Sequence, residues 1–155
     1  MFVDACAIIA LLSDEPEAGR VSDALASAQS RITSPVAVLE TVLGLARADK
    51  VDLAVASVEP LVLDFLDARG IEIRDLPPAP EAVGLSLSAA QRYRSGRHRL
   101  NLGDCLHYAC AKYYRVKPRL IVPLAGCPSW VGCVPRRCSA TRIRNIPPQP
   151  CVDPP

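Results

Sequence analysis

Apolar and polar positions along the chain fall into blocks that predict short strands handing over to helices. "MFV" is an apolar segment ended by Asp4, after which Ala7, Ile8, Leu11 and Leu12 recur at helical spacing until "SDEP" stops them. "RITSPVAVLETVLGLARADK" repeats the arrangement. Ile32 ends a short strand, Ser34 caps, and Pro35 takes the first helical position, where its missing N–H is no loss. Within that helix Val36, Leu39, Leu43 and Ala46 form one stripe, predicted to be the buried face. Residues 50–69 read as helical, with Pro60 marking the first turn of a second segment and Gly70 ending it. "IEIRDL" alternates as a strand, and "PPAPEAVGLSLSAAQRYRSGRHR" reads as a turn, a helix and a basic loop. "NLGDCLHYACAKYY", residues 101–114, closes the patterned region as a helix of interior character.

Strands separated by helices rather than by tight turns predict an α/β fold, a parallel sheet of about four short strands with helices on its faces. The "LIV" at residues 120–122 is the candidate for the last strand. Sites in such sheets lie beyond the carboxyl ends of the strands, where Asp4 would fall. A chain of 155 residues fits one domain burying about two-thirds of its unfolded surface. That domain is expected over residues 1–125, with 126–155 as an irregular, disordered tail rich in Pro, Arg and Cys.

Composition changes this picture mainly at the end of the chain. The net charge of +2 averages two unlike parts: residues 1–115 hold fifteen acids against twelve Lys or Arg, and residues 116–155 hold Asp153 against six basic residues. The second part also carries nine of the fifteen prolines and four of the seven cysteines. Cys127, Cys133, Cys138 and Cys151 lack the close pairs of a structural zinc site, so neither zinc nor a disulfide framework is expected. No apolar run has the length of a membrane span, and no basic lead precedes the N-terminal apolar stretch. A cytoplasmic location without membrane contact is the expectation.

Asp4, Glu40 and Asp104 are the candidate chemistry. Each has a structural account on its own: Asp4 closing a turn, Glu40 leaning into solvent, Asp104 serving the start of its helix. Together they are harder to explain away. Glu40 is the one charge between Pro35 and Arg47 and borders an apolar face, with no basic partner nearby on its helix. Three acids gathered in apolar surroundings repel one another unless a cation joins them. All-carboxylate ligation suits Mg²⁺ or Mn²⁺, and the implied chemistry is phosphodiester hydrolysis.

"MFVDACAIIALLSDEPEA", "SPVAVLETVLGLAR" and "GRHRLNLGDCLHYACAK" resemble, in order and spacing, the PIN-domain ribonuclease toxins of the VapC type over residues 1 to about 116. The resemblance implies a PIN-like three-layer α/β domain and an Mg²⁺- or Mn²⁺-dependent endoribonuclease cutting structured RNA of the tRNA or rRNA class. It implies a VapB-type antitoxin partner and a homodimer. It also assigns Asp4, Glu40 and Asp104 as the catalytic, metal-binding acids. This chain has Cys6 where the family usually has Ser or Thr, and it has no fourth acid roughly twenty residues past Asp104. The abrupt change after Tyr114 reads as a GC-rich frame translated out of phase from about residue 117. The alternative function is accordingly a catalytically impaired, toxin-like protein that still binds antitoxin or RNA. A phosphoacceptor signalling domain is a further rival, but Asp4 has no acidic neighbour until Asp14.

"RYRSGRHR" places Arg97, His98 and Arg99 just ahead of Asp104, as candidates for holding the RNA backbone. His107, three places after Asp104, reads as a hydrogen-bonded packing residue rather than a ligand.

Overall fold

Met1 to Val3 begin the chain as an extended segment lying parallel to a strand formed some thirty residues later. In the computed structural model, which describes residues 1–93 and 100–115, strand β1 (Ile32–Thr33) pairs in parallel with β2 (Glu72–Ile73). Phe2 bridges to Ile32 on the other side of β1, with Val3 N–H donating to the Ile32 carbonyl at 2.8 Å and Ile32 N–H to the Met1 carbonyl at 2.9 Å. The Thr33 hydroxyl donates to the Val3 carbonyl at 2.8 Å, tying β1 to the residue that precedes Asp4. The parallel sheet is therefore as expected in sense, but only two strands and a flanking bridge are formed among the described residues. The expected strand at 120–122 and the tail lie outside them, as do Arg97, His98 and Arg99.

Six helices complete the described fold: α1 (Ala5–Leu12), α2 (Ala18–Ala26), α3 (Pro35–Leu45), α4 (Val55–Ala68), α5 (Ala79–Tyr93) and α6 (Leu102–Tyr113). Caps set several starts. Asp4 caps α1, and Ser34 caps α3 by accepting the Ala37 N–H at 3.2 Å with Pro35 next, as its sequence predicts. Successive residues of the first segment face opposite sides of the sheet. Val3 joins a core with Ile8, Val21, Leu25, Val42, Leu45 and the Val58, Val62, Leu66 stripe of α4. Phe2 packs with Ile32, Cys110 and Ala111, on the α6 side. This alternation is the period-two pleat of a strand covered on both faces.

Two helix expectations are corrected. On α3 the buried residues are Ala37, Thr41, Val42 and Leu45, while Leu39 and Leu43 are 57% and 51% exposed. The helix is apolar almost all round, so spacing alone did not select the face. Packing against α1 did: Gly44 comes so near Ile9 that an added Cβ would stand 2.7 Å from Ile9 Cδ1, and small residues permit such an approach. Pro60 likewise opens no new segment. It lies inside a continuous α4, because Val58, Val62 and Leu66 lie four residues apart and bury one uninterrupted stripe.

Candidate active site

Three separate elements deliver the three acids. Asp4 follows the Phe2–Val3 segment in extended conformation, and its Oδ1 accepts the Ala7 N–H at 2.9 Å at the start of α1. It is 9% exposed. Glu40 stands half-buried in the middle of α3. Asp104 occupies the third position of α6, where its Oδ2 accepts the Asn101 backbone N–H at 2.8 Å. The cap residue of that helix is Asn101, whose Oδ1 accepts the Asp104 N–H at 2.9 Å. Asp104 therefore closes a reciprocal capping box rather than capping alone.

The charges of the three bear on one another. Burial, with the charges of Asp104 and Glu40 adding to it, pushes the Asp4 carboxyl up to about 7 against the Ala7 hydrogen bond. Burial, then the charge of Asp104, pushes Glu40 up to about 7. Asp104 is raised by burial and held back by the hydrogen bond from Asn101. Among the described residues, no lysine or arginine offsets this accumulated negative charge. The sequence-predicted acids thus act on one another across the fold, although they are 36 and 64 positions apart along the chain.

Two residues of α6 that the sequence reading did not place in the site border Glu40. His107 is 2% exposed, lies against the Phe2 ring at 5.4 Å between centroids, and holds its Nε2 3.5 Å from Glu40 Oε2. Burial lowers its pKa to about 4, so at neutral pH the ring is uncharged and the pair is not an ion pair. Neither Nε2 nor Oε2 has a hydrogen-bond partner among the described residues. Gly103 meets the same carboxylate from the first turn, where an added Cβ would stand 2.9 Å from Glu40 Cδ. The signal available in the sequence was their i, i+4 spacing, which puts both on one face of α6.

The donor chemistry suits a hard divalent cation: carboxylate oxygens throughout, one of them, Glu40 Oε2, buried and unpartnered. Among the described residues no three His, Cys, Asp or Glu side chains form a preassembled metal-ligand group. One cavity among the described residues lies elsewhere. A groove of about 360 Å³ between α3, the start of α4 and β2, lined by Val38, Leu39, Val42, Val55 and Ile73, contains none of the three acids.

Comparison with known proteins identifies the family of this chain. The PIN domain family model matches residues 1–121. A ribonuclease VapC of Mycolicibacterium smegmatis is 34% identical over 122 residues, covering 72% of this chain and 83% of that protein. Ribonuclease VapC30 of Mycobacterium tuberculosis and VapC ribonuclease Mb0640 of Mycobacterium bovis are each 32% identical over 115 residues, covering 72% of this chain and 82% of theirs. The family match spans Asp4, Glu40 and Asp104 together with the helices that carry them, and the chain belongs to the PIN-domain family, among its VapC-type members.

Proposed function

We propose that this chain is an endoribonuclease that requires Mg²⁺ or Mn²⁺ and serves as the toxin of a toxin–antitoxin pair. The observation that supports it is the mutual coupling of Asp4, Glu40 and Asp104, two of them raised to about 7, with no cationic side chain among the described residues to balance them. A divalent cation relieves that repulsion, and these three carboxylates are the residues that would hold it. When bound, the cation supplies Lewis acidity toward a phosphodiester and the water that attacks it.

The chain's own contribution is placement. The Ala7 N–H holds one Asp4 oxygen and the Asn101 N–H holds one Asp104 oxygen, so each side chain is oriented by a helix start. Burial removes competing water and strengthens every charge interaction at the site. Arg97, His98 and Arg99, next to Asp104 in sequence, are assigned by charge to the RNA backbone. The relatives' names carry the reading of RNA as substrate. A VapB-type antitoxin and a second copy of the chain are the partners it brings with it.

The test is cleavage of structured RNA by the purified full chain with Mg²⁺, with Mn²⁺ and with a chelator, alongside Asp4→Asn and Asp104→Asn. Metal-dependent cleavage that both substitutions abolish is the expected result. RNA or antitoxin binding without cleavage under any metal overturns the proposal.

A further inference from the structure

The described packing carries one inference beyond the three acids, and it rests on the metal-nuclease reading above. We propose that Gly103 and His107 form a seat for the Glu40 carboxylate: Gly103 leaves the space that one oxygen occupies, and the His107 Nε2–H donates to the other. His107 is then a positioning residue that presents Glu40 to the cation without touching it.

Two independent observations carry this. The atom nearest to a Cβ added at Gly103 is Glu40 Oε1, so the carboxylate lies against the first turn of α6, beside Asp104, in room that any other residue would fill. Its second oxygen, Oε2, lies 3.5 Å from His107 Nε2, and both atoms are buried with no other hydrogen-bond partner among the described residues. At 3.5 Å the contact is longer than a formed bond, and bonds of this kind tighten when a site is loaded. Packing alone does not explain the imidazole. A leucine or phenylalanine would fill the space beside Phe2 without burying an unpartnered nitrogen, a costly arrangement unless the nitrogen meets an acceptor. Among the described residues, the acceptor that faces it is Glu40 Oε2. Groups that orient a ligating carboxylate from behind typically change metal affinity or activity by about 10–100-fold when removed.

The experiment measures Mn²⁺ binding to the purified full chain by electron paramagnetic resonance, with RNA cleavage and thermal unfolding alongside, for the wild type, His107→Leu, His107→Gln and Gly103→Ala. His107→Leu is expected to weaken Mn²⁺ binding by about tenfold or more, and His107→Gln, which keeps an N–H donor, to restore most of it. Gly103→Ala, which helix propensity alone would favour, is expected to weaken binding to a similar degree. Wild-type Mn²⁺ affinity in a folded His107→Leu, or equal losses in the Leu and Gln variants, overturns the proposal. Should His107→Leu fail to fold, Gly103→Ala decides, and unchanged affinity there overturns it too. A wild-type chain that binds no Mn²⁺ and cuts no RNA sinks the underlying reading and this one together, whereas losses confined to the variants bear on the seat alone.

Discussion

Asn101 and Asp104 hold each other at the start of α6, each side chain accepting the other's backbone N–H, at 2.9 and 2.8 Å. Helix nucleation and site geometry thereby share one carboxylate. One oxygen of Asp104 completes the cap, and no described hydrogen bond engages the other.

The shared role separates stability from activity. Asp104→Asn keeps an oxygen that can accept the Asn101 N–H, so the melting temperature is expected to move by only a few degrees, while RNA cleavage falls by about 100-fold or more. Asn101→Ala removes the cap itself and is expected to cost about 1 kcal/mol, read as a lower melting temperature. Equal loss of stability in the two variants would contradict this division.

Metal-free protein is expected to lose stability as pH rises through neutrality. Asp4 and Glu40 titrate at about 7 in the folded chain, above their ordinary values of 3.8 and 4.5, so the fold binds their protons more tightly than the unfolded chain does. That stabilisation is complete below the ordinary carboxylate range and is gone once pH passes about 7. His107 acts in the opposite sense: its pKa is lowered from 6.5 to about 4, so the stability of the neutral ring is lost as pH falls across that window. With two carboxyls against one imidazole, the melting temperature in chelator is expected to be lower at pH 8 than at pH 5. Asp4→Asn and Glu40→Gln are expected to flatten the profile and to raise stability at pH 8 by about 1–3 kcal/mol. Excess Mg²⁺ or Mn²⁺ is expected to raise the wild-type melting temperature at pH 8 and leave Asp4→Asn unmoved.

Pro60 weakens the helix that contains it. It is exposed and interior to α4, where it removes one backbone hydrogen bond. Pro60→Ala is expected to stabilise the chain by about 1–2 kcal/mol, the gain in helix energy being reduced by the freedom returned to the unfolded chain. Urea unfolding with an unchanged slope checks it, and a variant less stable than the wild type would show that the proline fixes something α4 needs.

The corrected face of α3 can be tested by contrast. Leu39→Ala, at a residue 57% exposed, is expected to alter stability by no more than about 0.5 kcal/mol. Leu66→Ala, at a residue 2% exposed in the main core, is expected to cost about 2–5 kcal/mol. Comparable losses would return Leu39 to the interior.

What the sequence determined by itself is local or chemical. Ser34 and Pro35 set the start of α3, and Asp4 marks the junction of the first apolar segment with α1, because caps and proline constraints act over a few neighbouring residues. The three acids stood out for a similar reason: a charge without a partner in an apolar stretch is costly wherever the chain folds. Tertiary structure decided the rest. Which side of an almost wholly apolar α3 is buried depended on Ile9 approaching Gly44, and the continuity of α4 through Pro60 on the stripe it buries. The places of Gly103 and His107 depended on α6 lying against Glu40, a contact across more than sixty residues. Periodicity records what a segment can bury, and only the neighbouring helices select the face that meets the core.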